Sequence, residues 1–155
     1  MKLYLVQHAE PKRKEEDPTR PLSERGRESI RKMARYVKER LCIKVERIFH
    51  SGKLRAEQTA KVLAEHLEPP SGVILDKNLE PLANPKVWHV RLEEISEDIM
   101  LVGHLPHLNK LTSSLLVGDE DKEIVAFKMG SIVCLERDQQ HHWTIQWITT
   151  NKTIS

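Results

Sequence analysis

Four side chains that could handle phosphate stand shortly after apolar runs typical of buried strands. Residues at the carboxyl ends of parallel strands meet at one rim of a sheet, so we expect these side chains to converge. Imidazole and guanidinium groups beside helix N-termini bind anions such as phosphate, and a neutral imidazole can attack phosphorus and hold a phosphoryl group. The pattern predicts a phosphoryl-transfer site that uses no metal. The residues are His8 after residues 2–7, Ser51 and Arg55 after residues 45–50, and His104 after residues 98–103.

The segments that follow these runs carry helix patterns. Ser23 is a typical N-cap, and the segment after it shows an apolar stripe on one helical face. Good helix formers fill residues 54–67, Asn84-Pro85 predicts the start of a shorter helix, and residues 108–116 carry a leucine stripe. Strand and helix therefore alternate along most of the chain. The stripe of the first helix consists of Ile30, Met33, Ala34, Val37 and Leu41.

The end of the chain is different, because two β-rich segments there predict a hairpin. Period-two alternation predicts that Trp143, Ile145 and Trp147 share one face of the last strand. The alternation of strands and helices predicts an α/β fold, a three-layer α/β/α sandwich with a mostly parallel central sheet and a C-terminal β-hairpin. No repeat or linker divides the sequence, so we expect one domain over residues 1–155. The hairpin strands are expected over residues 131–136 and 143–148.

Composition excludes several classes of function. The 155 residues carry a net charge of only +2, and 5% are aromatic, which argues against nucleic-acid binding. No apolar run approaches the roughly 20 residues that a membrane span needs, and the N-terminus does not resemble a signal peptide. Two cysteines, Cys42 and Cys134, are too few for a disulfide framework, so we expect a cytoplasmic protein in which both are buried packing residues.

Four sequence blocks, taken in order, resemble the histidine phosphatase (phosphoglycerate mutase-like) superfamily. Within it, the short chain and the sequence Leu-Arg-Ala-Glu-Gln-Thr most resemble the SixA-type phosphohistidine phosphatases. The resemblance runs from residue 1 to about residue 107, and it implies the phosphoglycerate mutase-like form of the fold above. The blocks are a strand followed by His8-x-Glu10, Arg20-Pro21-Leu22-Ser23-x-x-Gly26, His50-Ser51-Gly52-Lys53-Leu54-Arg55-Ala56-Glu57-Gln58-Thr59-Ala60, and Leu101-Val102-Gly103-His104-Leu105-Pro106.

The resemblance assigns roles to the residues at the rim. It makes His8 the nucleophile that becomes phosphorylated, and it makes Arg55 and His104 the groups that clamp the phosphate oxygens. Ser51 could add a hydroxyl or backbone donor, and Arg20 is either a further phosphate contact or a partner of a nearby acid. The resemblance implies no cofactor.

One motif departs from the family pattern. The superfamily typically has Arg-His-Gly where this chain has Gln7-His8-Ala9. Gln7 can still donate hydrogen bonds to phosphate but lacks the positive charge, and Ala9 has a Cβ where glycine would tolerate unusual backbone angles. We expect Arg20 or Lys53 to compensate for the missing charge. The substitution should therefore affect the rate of phosphoryl transfer more than the fold.

The substrate class depends on the leaving group. A phosphate ester needs a general acid, for which Glu80 is the main candidate and Glu10 the alternative, whereas an imidazole departs more readily. The chain also has no room for a large lid. Both features favour a protein-borne phosphohistidine, such as that of a histidine phosphotransfer domain, with inorganic phosphate as product. The alternatives are a small-molecule phosphate monoesterase or mutase, and a non-catalytic module that binds phosphoproteins.

The spacing of His107 from His104 raises the question of a metal site. His104 and His107 form a His-x-x-His pair, but no further ligand stands at a defined spacing. We therefore expect His107 to be a surface histidine, like His141 and His142 in the predicted hairpin turn.

Overall fold

The computed structural model describes residues 1–154, in which a six-stranded sheet is covered by helices on both faces. The spatial order of the strands is β3-β2-β4-β1-β5-β6. The first four in this order run parallel, and β5 and β6 are antiparallel additions at the β1 edge. The predicted α/β fold with a mostly parallel sheet and a C-terminal hairpin is confirmed. The strands are β1 (Lys2–Gln7), β2 (Arg47–His50), β3 (Val73–Leu75), β4 (Ile99–Gly103), β5 (Ile132–Arg137) and β6 (Trp143–Thr149).

The helices begin where the capping signals predicted. The Ser23 hydroxyl accepts the Gly26 N–H at 3.0 Å, and the Asn84 side chain accepts the Lys86 N–H at 3.0 Å. These bonds satisfy N–H groups that have no partner within the helix. The helices are α1 (Glu24–Glu39), α2 (Leu54–Leu67), α3 (Pro85–Glu94), α4 (His107–Val117) and α5 (Asn151–Ile154), with a 3₁₀ turn over Lys77–Leu79. None of these helices has the length and apolar character needed to cross a membrane.

Two apolar cores lie on the two faces of the sheet. One is formed with α1 and α2, and it contains Ile30, Met33 and Leu63. The other is formed with α3 and α4, and it contains Trp88 and Leu108. Because the central strands are buried on both faces, their sequences are continuous apolar runs, as expected for parallel strands in an α/β protein.

The predicted shared face of β6 is wrong. A β-bulge lies where the register with β5 shifts between Cys134 and Leu135. Trp147 packs with the core beneath α1 and α2, whereas Trp143 packs with the core beneath α3 and α4. The extra residue of a bulge moves the following side chains to the opposite face, which defeats simple alternation.

Other sequence predictions also fail at short or irregular segments. Strand β3 and helix α5 were not predicted, because three or four residues are too few to show a period. Cys42 is exposed rather than buried, and it has a positive φ of 51° in the turn after α1. Cys134, by contrast, is buried as predicted.

Candidate active site

The strand register brings the two predicted histidines together. Gln7 of β1 pairs with Gly103 of β4, so the next residues, His8 and His104, leave the sheet side by side. Their ring centroids are 5.0 Å apart and the ring planes are tilted by 51°. The rings come from neighbouring parallel strands and therefore face a common space at the carboxyl edge of the sheet.

Hydrogen bonds fix the orientation of His8 and leave one ring nitrogen available. Its Nδ1–H donates to the Ala9 carbonyl at 2.8 Å, and its backbone N–H donates to the Gly103 carbonyl at 3.1 Å. With the proton on Nδ1, the lone pair is on Nε2. Burial lowers the pKa of His8 to about 4, and the positive charges of Arg55 and Arg20 also lower it. The ring is therefore neutral at pH 7 and can act as a nucleophile through Nε2.

His104 is held by the turn that follows β2. Its Nε2 shares a hydrogen bond with the Ser51 hydroxyl at 2.6 Å, and Ser51 in turn accepts the Lys53 N–H at 3.2 Å. The Nδ1 atom of His104 is buried without a hydrogen-bond partner. Burial lowers the pKa of His104 to about 3, with further contributions from neighbouring imidazoles and cations. Ser51 therefore positions the Nε2 edge of the ring, and the Nδ1 edge can still accept or donate a hydrogen bond.

Cations surround the two rings. Among the described residues the Arg55 Nε atom is buried without a hydrogen-bond partner, and burial, followed by the charge of Arg20, lowers the pKa of the guanidinium. Arg20 forms no ion pair within residues 1–154; its Nε–H donates to the Lys12 carbonyl at 3.2 Å. A buried donor without an acceptor is costly, and a phosphate oxygen would satisfy it. The Arg20 charge acts on both His8 and Arg55, which supports a phosphate contact over a surface ion pair.

The helices behind the site also favour an anion. Helix α2 begins after Lys53 and helix α4 begins after Pro106, and neither N-cap side chain satisfies the first N–H groups. Both helices follow strands that end at the rim, so their positive ends lie on the side of the sheet that carries His8 and His104.

Residues that sequence reasoning did not single out hold the rim together. The Thr59 hydroxyl accepts the Ala9 N–H at 3.0 Å and donates to the Arg55 carbonyl at 2.7 Å, so it links the turn after β1 to helix α2. The Gly130 N–H donates to the carbonyls of residues 7 and 8. Thr59 lies within one of the quoted blocks, but Gly130 has no local signal because its role depends on a contact across the sequence.

The Gln7-His8-Ala9 turn shows what the departure from the family pattern changes. Ala9 is buried and does not have a positive φ, so the expected conflict between its Cβ and the backbone does not arise. The Oε1 atom of Gln7 is buried and has no hydrogen-bond partner. The substitution therefore leaves the backbone undisturbed and places an uncharged amide, whose Oε1 has no partner among the described residues, where the family usually has a cation.

The loop before α1 is tied to helix α2. The Leu22 N–H donates to Gln58 Oε1 at 2.7 Å, and the Ser23 hydroxyl donates to the Glu10 carbonyl at 3.2 Å. A Cβ at Gly26 would lie 2.1 Å from that same carbonyl oxygen, so only glycine fits there. The Arg-Pro-Leu-Ser block therefore positions Arg20, which lies two residues before Leu22.

The two candidate general acids are placed differently. One Glu10 carboxylate oxygen accepts from Ser23 at 3.2 Å and the other lies 4.0 Å from Arg25, so this carboxylate is engaged at the start of α1. Glu80 is half-buried in the loop after the 3₁₀ turn, and the preceding Leu79 carbonyl lies against Gly103. The structure thus brings the Glu80 backbone towards β4, while the role of its carboxylate stays a prediction.

The prediction that His107 lies on the surface is wrong. It is only 1% exposed, and both ring nitrogens are buried without hydrogen-bond partners. Burial lowers its pKa to about 4, against the opposing effect of Asp76. Within residues 1–154, no cluster of three or more ligand-type side chains includes His104 and His107. His141 and His142 are exposed, as predicted.

Replacing His107 by leucine is expected to stabilise the fold by about 1 kcal/mol at pH 7, because it removes unsatisfied buried nitrogens. In the unfolded chain the histidine takes up a proton below about pH 6.5, but in the fold it stays neutral down to about pH 4. His107 therefore favours unfolding as the pH falls, and the gain from His107→Leu should be about 2 kcal/mol larger at pH 5. Urea denaturation of both proteins at pH 7 and pH 5 measures this difference in the free energy of unfolding.

The exposed histidine His142 provides the matched control for this prediction. His142→Leu should show little of the additional gain at pH 5. A loss of stability in His107→Leu at either pH would show that the ring nitrogens of His107 are satisfied in solution.

The parallel strand ends, the paired neutral imidazoles and the surrounding cations define an α/β protein with a histidine-centred phosphate site. The chain belongs to the histidine phosphatase superfamily (branch 1), whose family model matches residues 3–99. The predicted superfamily is thus confirmed. The phosphohistidine phosphatase SixA of Escherichia coli is 26% identical over 135 residues, which cover 84% of this chain and 81% of that protein.

Solved structures share the whole fold. The structure of the protein histidine phosphatase SixA complexed with tungstate superposes with a TM-score of 0.87 at 24% identity, and the match covers 100% of both chains. A putative α-ribazole-5′-P phosphatase from Escherichia coli superposes with a TM-score of 0.80 at 15% identity, and 97% of each chain is covered. These likenesses confirm the phosphoglycerate mutase-like form of the fold.

Proposed function

We propose that the protein is a phosphohistidine phosphatase that removes phosphate from a histidine-phosphorylated protein through a phosphorylated His8. The observation that carries the proposal is the state of His8: Nδ1 donates to the Ala9 carbonyl, the ring is neutral, and Nε2 has no hydrogen-bond partner within residues 1–154. The name and the similarity of the SixA relative support the same activity.

The proposed reaction has two displacements. In the first, the lone pair of His8 Nε2 forms a bond to phosphorus, and the bond from phosphorus to the substrate imidazole nitrogen breaks with its electron pair left on that nitrogen. The other nitrogen of the substrate ring carries a proton, so the leaving group is a neutral imidazole. In the second, a water oxygen attacks the same phosphorus, the bond to His8 Nε2 breaks, and the water gives up a proton to solvent. The products are the unmodified histidine of the substrate, inorganic phosphate and neutral His8.

The groups around phosphorus have separate roles in this scheme. The guanidinium of Arg55 and a ring nitrogen of His104 would bind the phosphate oxygens, on which negative charge is spread during transfer. Ser51 positions His104, and Arg20 and Lys53 add positive charge. Gln7 would contact phosphate through its amide, which requires that the N–H₂ group face the oxygens.

The charges that act on the two rings favour an imidazole leaving group. The charged groups that lower the pKa values of His8 and His104 are arginine, lysine and other imidazoles, and the Glu10 carboxylate is engaged with Ser23 and Arg25 at the start of α1. An alkoxide leaves readily only when an acid protonates it, whereas a phosphorylated imidazole departs without such help. The site therefore suits phosphohistidine better than a phosphate ester.

We expect turnover of phosphohistidine to exceed turnover of sugar phosphates and phosphoglycerate by about 100-fold in kcat/KM, the contribution typical of one general acid. Release of inorganic phosphate from free phosphohistidine, from a phosphorylated histidine phosphotransfer domain and from the esters provides the comparison. A clear preference for esters would contradict the proposal. Tight binding of a phosphoprotein without release of phosphate would instead indicate a binding module.

The proposed partner is a histidine phosphotransfer domain, and the proposed location is the cytoplasm. An exposed, unpaired thiol at Cys42 supports a reducing compartment.

A further inference from the structure

Four exposed apolar side chains lie on segments that meet at the edge of the sheet that carries the paired imidazoles. Leu75, Leu82, Leu105 and Met129 are 53%, 89%, 38% and 43% exposed, and they are four of the nine large hydrophobic side chains exposed among the described residues. Single exposed hydrophobic residues need no explanation, whereas a group at one edge of a sheet is typical of an interaction site. We call these four residues the apolar rim.

Two members of the apolar rim lie beside the histidines themselves. Leu105 directly follows His104 in the chain. Met129 precedes Gly130, whose N–H donates to the carbonyls of residues 7 and 8 at 2.9 and 3.1 Å. Leu105 and Met129 therefore belong to segments that adjoin the imidazole pair, and Met129 lies beside residues 150–152 at the end of β6.

The other two members lie on the β2 and β3 side of the site. The Leu75 side chain lies 3.1 Å from the position that a Cβ would take at Gly52, one residue after Ser51. The Leu79 carbonyl lies 3.3 Å from the corresponding position at Gly103, and Leu82 is three residues further on, within about 10 Å of chain. The apolar rim therefore extends from the end of β3 to the segment that leads into β5.

The width of the apolar rim exceeds that of a small substrate. Strands β3 and β5 are four strand spacings apart in the sheet, which corresponds to about 19 Å. A free phosphohistidine or a small phosphate ester fills only the centre and leaves the outer leucine and methionine side chains in water. A helix with its side chains is about 10–12 Å across and covers most of this width.

At this edge of the sheet the positive charge lies at the centre and the apolar side chains lie around it. The positive groups Arg55, Arg20 and Lys53 act on the rings at the centre, where a phosphoryl group would lie. The surrounding four side chains are uncharged and cannot recognise phosphate. They match a substrate whose phosphorylated residue stands among apolar neighbours on a helix, since residues at i±3 and i±4 lie only about 5–6 Å from it.

We propose that the apolar rim is the docking surface for a protein substrate, a helix that presents phosphohistidine between exposed aliphatic side chains. The inference rests on the proposed function, and it adds the surface from which the enzyme gains affinity for a protein substrate. The phosphoryl group enters the cationic centre, and the aliphatic neighbours pack on Leu82, Leu105, Met129 and Leu75.

The test compares two substrates in rim variants and a control. Leu82→Ser removes exposed apolar area with little effect on packing, because that side chain is 89% exposed, and Met129→Ser removes a side chain that is 43% exposed. Val117→Ser is the matched control, since Val117 is 54% exposed but ends helix α4, about 15 Å from the start of that helix near the site. The substrates are a histidine phosphotransfer domain phosphorylated with phosphoramidate, and free phosphohistidine.

We expect the unmodified protein to show a kcat/KM at least about tenfold higher for the phosphorylated domain than for free phosphohistidine. Each rim variant should lose about tenfold on the domain, mainly through KM, and keep its kcat/KM for free phosphohistidine. Val117→Ser should retain both values. Equal rates on both substrates in the unmodified protein, or equal losses on both in the rim variants, would overturn the docking surface alone. Failure to hydrolyse either substrate would overturn the proposed function and this inference with it.

Discussion

His8→Ala should form no phosphoenzyme and should lose phosphatase turnover by on the order of 10⁴-fold or more, the scale on which removal of a covalent nucleophile acts. The reason is geometric, because His8 is the ring whose Nε2 is free while its Nδ1 is held by the Ala9 carbonyl. Rapid-quench incubation with phosphoramidate, followed by intact-mass measurement, detects the bound phosphoryl group. Steady-state release of inorganic phosphate gives the turnover.

A second histidine variant separates this effect from general damage. His89 is half-buried on helix α3, where its ring bonds to Ser114 at 2.6 Å, and His89→Ala should keep the phosphoenzyme. Circular dichroism and thermal unfolding of His8→Ala should show a folded protein. Equal turnover by His8→Ala and the unmodified chain would contradict a His8 phosphoenzyme.

Arg55→Met should lower kcat by about 10²–10³-fold, which corresponds to about 3–4 kcal/mol of transition-state stabilisation. The Arg55 Nε–H is buried with no protein acceptor, so its hydrogen bond is available to the phosphate oxygens. Arg55→Lys should recover only part of the loss, because a lysine keeps the charge but lacks the planar fork of donors. Measurement of kcat and KM for free phosphohistidine tests both variants.

The control for Arg55 lies on the same helix. Lys61 pairs with Glu57 at 2.7 Å on the exposed side of α2, so Lys61→Met removes a cation without removing a phosphate contact. We expect its kcat to change by less than about twofold. A similar loss in Lys61→Met and Arg55→Met would show that the general positive charge of α2, rather than the Arg55 contact, stabilises the transition state.

Much of the fold could be predicted because its elements have strong local signals. The boundaries of α2 agree with the predicted residues 54–67, and the caps at Ser23 and Asn84 are confirmed. The buried runs of β1 and β4 predicted strands, but periodicity alone does not reveal that these two are neighbours. The expected convergence at the rim assumed that adjacency, and the resemblance of the ordered blocks to a known family then assigned both histidines to one site.

The features that escaped prediction depend on contacts between distant segments. His107 is buried at the start of α4, where Asp76 from the turn after β3 acts on its ring, and neither β3 nor the 3₁₀ turn was visible as a pattern in the sequence. The supports of the site, Thr59 and Gly130, act through hydrogen bonds to backbone atoms far away in the chain. The identities of the reactive side chains could therefore be inferred from the local sequence motifs. The hydrogen bonds that orient these side chains could not.

The most direct test is the isomer of phosphohistidine formed on the protein. We expect quenching during turnover, proteolysis and ³¹P and ¹H–¹⁵N NMR of the labelled protein to show a phosphoryl group on Nε2 of His8, since Nδ1 donates to the Ala9 carbonyl at 2.8 Å. A phosphoryl group on Nδ1 of His8, on His104 or on any other residue would contradict this account of the site.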